Sequence, residues 1–213
     1  NSLDKLGNTA DLSNIPISVA KPPEFSKYLN ENSVHQGLAL EAKPLHWGTI
    51  SDLNSKLECS GNGAIIVLDR IKDPQNVGAI IRSTEVLGGK AVIGSINHCA
   101  RETGGLVKAA SGAFERVPYL TVTNIARTIE ALTKRGYLIV GLDHSADEVL
   151  ANLLKSLKNQ RIVFILGSEG SGLRELTKKR CDHLVKISTE DSLGVLNVSN
   201  AAAITLFAAR EFL

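Results

Sequence analysis

Arg161-Ile162-Val163-Phe164-Ile165-Leu166-Gly167-Ser168-Glu169-Gly170-Ser171-Gly172-Leu173 decides the class of fold. Arg161–Leu166 is a short, continuous apolar run, the pattern of a strand buried on both faces. Three glycines follow within six residues and lead into a helical pattern over Leu173–Arg180. Glycine permits a tight turn and lets backbone approach a ligand closely. No Lys-Ser/Thr follows the last glycine, so this is not a Walker loop, and the spacing is not that of the dinucleotide fingerprint. A plain strand-to-helix turn has no need of Glu169. The loop is therefore a candidate site at the carboxyl end of a strand, where open parallel sheets bind ligands.

The same alternation extends outward. Upstream, Ala64–Leu68 reads as a buried strand. Asn76–Leu87 reads as a helix with Val77, Ile80, Ile81 and Leu87 on one face and Gly88-Gly89 as its stop. Ala91–Ile93 is strand, Glu102–Ala110 helix and Val117–Tyr119 strand. Asn124 caps a helix to about Arg135, and Tyr137–Leu142 and Asp147–Leu157 follow as strand and helix. Downstream lie a strand at Leu184–Ile187 and a helix at Val198–Phe212. Strand and helix alternating with short connections predict an α/β fold, a mostly parallel sheet with helices on both faces. Residues 1–60 differ, with Pro16, Pro22, Pro23 and Pro44 and weak periodicity. Here short strands are expected at Ile15–Val19 and His35–Ala42, a helical turn or two at Glu24–Asn30, and helix or loop over Ser51–Asn62.

The chain has 213 residues, 43% apolar and 22% charged, which is globular composition and too apolar for disorder. Cys59, Cys99 and Cys181 are odd in number and far apart, which argues against a disulfide framework or a cysteine zinc site. His35, His46, His98, His144 and His183 show no metal spacing, so no metal is expected. No run of eighteen apolar residues exists, and Asn1–Ala20 lacks the features of a signal peptide, so a cytoplasmic, reducing location is expected. The net charge of +2 divides into −2 over residues 1–60 and +4 over the remainder. Attraction for phosphate therefore belongs to the later part. The basic set Arg174, Lys178, Lys179 and Arg180 reads either as solvated helix surface or as an RNA phosphate contact.

Two more strand ends carry unusual residues. After Asp69, the run Asp73-Pro74-Gln75-Asn76-Val77-Gly78-Ala79-Ile80-Ile81-Arg82 combines a turn signal with Asn76 as a helix N-cap. Arg82 lies off the apolar stripe, as an exposed helix residue or a functional one. After Ile187 a polar loop leads to Leu196-Asn197-Val198-Ser199-Asn200 and three alanines. Asn197 and Ser199 read as helix caps or as site residues. The small alanines suit close helix packing, within the chain or across subunits.

Taken in order, these three segments resemble the motifs of the SPOUT superfamily, in its TrmH/SpoU branch of RNA ribose 2′-O-methyltransferases. The resemblance covers residues 61–213 as the methyltransferase domain. Residues 34–60, with His35-Gln36-Gly37, resemble the junction found in members acting on guanosine of large-subunit (23S-type) ribosomal RNA. Residues 1–33 are then the incomplete tail of an L30e-like RNA-binding domain. The resemblance implies a C-terminal deep trefoil knot, a homodimer, S-adenosylmethionine as cofactor and ribosomal RNA as substrate. It implies a reaction centre of Asn76, Arg82, Glu169 and Asn197, and a cofactor site of Leu166, Gly167, Gly170, Ile187, Leu196 and Ser199.

Arginine keeps its proton, its pKa exceeding about 12, so Arg82 is expected to clamp an RNA phosphate and stabilise the developing alkoxide. Glu169 then orients Arg82 or accepts the proton. The sequence departs from the third motif at Ser188-Thr189, where the family has Pro-Met, at Asp191, where it has Gly, and at Val195, where it has Ser. That departure keeps a second reading open, a non-catalytic knotted RNA-binding or ribosome-assembly factor. A tRNA 2′-O-methyltransferase is a third.

Overall fold

A computed structural model describes residues 14–29, 33, 35–53, 63–157, 159–190 and 196–212. The chain divides into two compact units, Asn1–Pro44 and Leu45–Leu213. The described part of the first unit holds a 3-10 helix, Pro22–Lys27, where Glu24 accepts a hydrogen bond from the Lys21 N–H at 2.6 Å. This turn starts earlier and ends sooner than expected, because the Pro22-Pro23 pair presets the first helical φ angles. Ile15–Val19 and His35–Ala42 form no strand. Ile15, Ile17 and Val19 are 43%, 52% and 98% exposed, so no packed face repays the order a strand requires.

The second unit opens with a helical turn at residues 50–53, whose Leu53 is buried; the remainder of the expected segment, residues 54–62, lies outside the described residues. The core follows as strands β1 (Ile65–Asp69), β2 (Ala91–Ser95), β3 (Tyr119–Val122), β4 (Tyr137–Leu142), β5 (Glu148–Val149), β6 (Arg161–Gly167) and β7 (His183–Lys186). The helices are α1 (Pro74–Val86), α2 (Gly104–Ala110), α3 (Ile125–Thr133), α4 (Leu150–Ser156), α5 (Glu175–Lys178) and α6 (Val198–Phe212). All strand pairs are parallel, in the order β3-β2-β1-β6-β4-β7-β5. The chain leaves slots beside β4 and fills them later: β6 enters between β1 and β4, and β7 between β4 and β5.

Strand periodicity divides the core between two faces. Ile66 and Leu68 of β1 and Ile162, Phe164 and Leu166 of β6 pack with α1, α2, α4 and α6. Ile65, Val67, Val163 and Ile165 point the other way and pack with Ile125, Ile129 and Leu132 of α3. Helices thus cover both faces, as the alternation predicts.

In this unit the helix expected over Leu173–Arg180 shortens to Glu175–Lys178, the strand expected at Val117–Tyr119 is shifted to Tyr119–Val122, and two further expectations change. Asp147 is outside any helix, and Glu148-Val149 is a strand paired with Val185 and Lys186, because β7 arrives beside it. Asn76 is not the cap of α1: Asp73 caps it, its Oδ1 accepting from the Gln75 N–H at 3.0 Å, with Pro74 at the first helical position. The expected cap Asn124 holds on α3, and Thr103 caps α2.

Candidate active site

Because Asp73 takes the capping role, Asn76 falls inside the first turn of α1 with its amide free. That amide donates through Nδ2 to Glu169 Oε1 at 3.1 Å. Asn197 donates through its Nδ2 to the same Glu169 oxygen at 2.8 Å and to Asn76 Oδ1 at 3.0 Å. The carboxylate can only accept, so it fixes the orientation of both amides. Asn197 also caps α6: its Oδ1 accepts from the Ser199 N–H at 2.9 Å and from Ser199 Oγ at 2.6 Å. Asn197 therefore caps α6 with the oxygen of its amide and joins Glu169 and Asn76 with the nitrogen.

Arg82 is not part of this cluster. It is exposed and makes no hydrogen bond or ion pair among the described residues. Six residues along α1 place it about 9 Å further along the axis and about 120° around it from Asn76.

Two features hold Glu169 in place. A Cβ at Gly167 would lie 2.2 Å from the Gly172 carbonyl carbon and 2.4 Å from the Leu173 nitrogen. Only glycine lets β6 end this close to the returning loop, which the Gly172 N–H closes onto the Ser168 carbonyl at 2.9 Å. Downstream, Asp69 at the end of β1 is fully buried. Its Oδ2 accepts from the Arg174 N–H at 3.3 Å and from Thr177 Oγ1 at 2.8 Å. Arg174 Nε lies 2.7 Å from Asp69 Oδ1, a close ion pair without hydrogen-bond alignment. The basic set after the loop is thus largely consumed within the protein: Arg174 by Asp69, Lys178 by Asp143 at 2.5 Å and Arg180 by Glu130 at 3.2 Å.

Beside the cluster is a cavity of about 470 Å³ at the carboxyl ends of β4, β6 and β7. Leu166, Gly167, Ile187 and Leu196 are in its wall, together with Glu169 of the hydrogen-bonded cluster. Gly170 and Ser199 are not. Gly170 is exposed at the loop's turn with φ +85° and open space about it, and Ser199 is turned to Asn197. The departures at Asp191 and Val195 lie outside the described residues. Sequence reasoning missed Leu142, Asp143 and His144, which also line the wall. The available signal was their position at the carboxyl end of β4, the same strand-end rule that singles out Glu169.

Burial pushes the Asp143 carboxyl up, but hydrogen bonds from Lys178 and from the Ser145 N–H and hydroxyl outweigh it and hold it at about 2. A carboxyl lowered in the folded state contributes stability above its ordinary pKa and loses it as pH falls through the folded value. The expected result is a loss of at most about 2 kcal/mol between pH 4 and pH 2. In Lys178→Met this part of the slope shrinks, which urea unfolding across that range measures.

Among the described residues no group of three or more His, Cys, Asp or Glu side chains is placed to hold a metal, and no helix is long and apolar enough to cross a membrane.

The SpoU rRNA Methylase family model matches residues 63–207. The chain is 39% identical over 175 residues to the 23S rRNA (guanosine-2′-O-)-methyltransferase RlmB of Photobacterium profundum, covering 82% of this chain and 70% of the relative. It is 37% identical over 186 residues to RlmB of Escherichia coli K12, covering 86% and 75%. Among solved structures, the SpoU methyltransferase AviRb from Streptomyces viridochromogenes in complex with AdoMet aligns with a TM-score of 0.65 at 25% identity. That alignment covers 71% of this chain and spans 60% of the AviRb chain. The A. aeolicus TrmH/SpoU tRNA modifying enzyme shares the fold with a TM-score of 0.62 at 21% identity, over 75% of this chain and 83% of that one. The family model runs from β1 into α6 and takes in all three strand ends that meet at Glu169, so this chain belongs to the SpoU rRNA methylase family.

Proposed function

We propose that this protein transfers a methyl group from S-adenosylmethionine to the ribose 2′-hydroxyl of a guanosine in 23S ribosomal RNA. The observation that carries the reading is the hydrogen-bonded cluster of Asn76, Glu169 and Asn197 at the wall of a cofactor-sized cavity, in a chain whose relatives bear that activity in their names. The cavity falls within the roughly 300–1,000 Å³ of small-molecule sites. Leu142, Leu166, Ile187, Leu196 and Val198 offer apolar walls for an adenine, and the bare Gly167 backbone permits close approach.

When bound, S-adenosylmethionine supplies a methyl group on a sulfonium sulfur, already activated for transfer. The chain's task is then alignment and removal of the 2′-hydroxyl proton. Alignment of reacting groups is worth on the order of 7–11 kcal/mol. Both amide donors fall on Glu169 Oε1, which leaves Oε2 without a partner among the described residues. That oxygen takes the proton. Arg82, permanently charged, clamps the substrate phosphate and stabilises the developing alkoxide.

A homodimer fits the position of Arg82. It shares an exposed helix face with Val86, four residues on, and α1 packs beside α6, whose Ile204 and Phe207 are 40% and 56% exposed. A second copy on this apolar face brings Arg82 to a subunit interface. The late entry of β6 and β7 into slots of the sheet supports the trefoil knot of the SPOUT fold. Residues 1–33 fit as the tail of an L30e-like RNA-binding domain, with 34–60 as junction and 61–213 as the methyltransferase domain. A ribosomal RNA substrate places the protein in the cytoplasm.

The test is incubation with labelled S-adenosylmethionine and unmodified 23S rRNA. Label in a guanosine ribose is expected, reduced at least about 100-fold in Arg82→Ala. Arg82→Lys keeps the charge but loses the bidentate fork and is expected to fall well below the parent. Absence of both cofactor binding and transfer would overturn the reading in favour of the non-catalytic factor.

A further inference from the structure

Arg70 stands one residue beyond the sheet, directly after Asp69, with φ at +66°. Four non-glycine residues adopt positive φ among the described residues: Gln36, Arg70, Ser111 and Asn159. Ser111 ends α2 as its cap, and asparagine tolerates this region. Arg70, like Gln36 of the first unit, has neither explanation, since a long side chain in this region is strained and glycine would be at ease. Such strain persists where the side chain serves a purpose.

The side chain is also unpartnered. Its Nε is shut off from solvent, and Arg70 makes no hydrogen bond or ion pair among the described residues. The adjacent Asp69 carboxylate does not neutralise it, being taken up by Arg174 and Thr177. Arginine cannot shed its proton to escape this position. Among the described residues no anion answers this charge.

Location names the anion. Asp69 is in register with Gly167, so the chain leaves β1 at Arg70 where the neighbouring β6 gives way to Ser168 and Glu169. The cavity wall is built from the β4, β6 and β7 ends, leaving the β1 and β2 ends on the other side of Glu169. There, Lys72 and Arg101 are exposed and likewise unpartnered among the described residues. The loops bearing them are tied by the Ala100 N–H donating to the Ile71 carbonyl at 3.0 Å. Of the acids in these loops, Asp73 caps α1 and Glu102 is exposed, and neither makes an ion pair with Arg70, Lys72 or Arg101 among the described residues.

We propose that Arg70 binds a backbone phosphate of the substrate RNA beside the reaction centre, and that Lys72 and Arg101 continue this track along the carboxyl ends of β1 and β2. This rests on the RNA methyltransferase reading above. It assigns the cofactor to one side of Glu169 and the RNA strand to the other.

The test uses the full chain, unmodified 23S rRNA transcript and Arg70→Gly. Glycine removes the charge and relieves the φ strain together, so the fold survives the substitution. RNA affinity measured without cofactor is expected to fall about tenfold. The slope of log K against log salt should become shallower by about 0.7–0.9, the loss of one phosphate contact. S-adenosylmethionine affinity should stay at the parent value, and KM for RNA should rise more than kcat falls. Arg70→Lys should recover most of the salt slope. An altered melting temperature with unchanged RNA affinity and slope would overturn the proposal, as would a parent chain that does not bind the RNA. Slope loss in a protein that binds RNA but transfers no methyl would sink the enzymatic reading and leave the phosphate contact standing.

Discussion

Gly167→Ala is expected to abolish cofactor binding and to destabilise the protein by about 3 kcal/mol, the upper end of ordinary overpacking. The added methyl would meet the Gly172 carbonyl carbon at 2.2 Å, the Leu173 nitrogen at 2.4 Å and the Gly172 oxygen at 2.5 Å. All are backbone atoms, so no rotamer change makes room. β6 is held between β1 and β4 and cannot retreat. The loop over residues 168–172 must therefore move outward, carrying Glu169 away from Asn76 and Asn197 and opening the cavity wall that Gly167 and Gly172 share. Gly170→Ala is the matched control. It has φ +85° but open space around its Cβ position and no place in the cavity wall. Its cost should be about 1 kcal/mol of backbone strain, with cofactor affinity within about twofold of the parent. Urea unfolding and calorimetric titration with S-adenosylmethionine measure both. Equal behaviour of the two variants would mean that the tight return at Gly167 does not shape the cofactor site.

The sheet was legible because its central strands are unbroken apolar runs and its helices carry clean stripes. Arg161–Leu166 in β6 and Val77, Ile80 and Ile81 in α1 are local signals that tertiary packing only reinforces. Glu148-Val149 was not legible. Two residues become strand only because β7 arrives beside them 35 residues later in the chain, and the apolar pattern that continues into α4 masks the boundary. The same reasoning explains Asn76. Asp73 and Asn76 are both good caps, and local propensity cannot say which one the preceding strand leaves in position. The choice matters chemically, because the residue relieved of capping is the one that reaches Glu169. The cluster itself joins positions 28, 93 and 121 residues apart. The family resemblance nominates its members as a set that includes Arg82, whereas their sharing of one carboxylate oxygen without Arg82 follows from the strand order.

Asn197 is where the two roles can be separated, because each end of its amide does one job. Its oxygen holds the first turn of α6 through Ser199, and its nitrogen holds Glu169 and Asn76. Asn197→Ala removes both. It should cost about 1 kcal/mol for the cap and lower kcat at least about 100-fold as Glu169 loses its closest donor. Asn197→Asp keeps an oxygen for Ser199 but turns the donor into a second carboxylate at the 2.8 Å contact with Glu169. Like charges at this distance do not both ionise, so one carboxyl of the pair holds its proton above the ordinary range. The folded state then binds more protons than the unfolded chain, and stability falls as pH rises from about 4 to 8. Asn197→Ala has no second carboxylate and lacks that slope. Asn197→Asp should therefore approach parental stability near pH 4, where Asn197→Ala keeps its capping deficit, and fall below parental stability at neutral pH. Both should be poor catalysts at neutral pH, with kcat reduced far more than cofactor affinity, since Asn197 is outside the cavity wall. Denaturation at several pH values, read beside single-turnover methyl transfer, separates capping from positioning. An Asn197→Asp protein with parental turnover would show that Glu169 needs no donor from α6, and the proton-accepting role proposed for it would fall with that result.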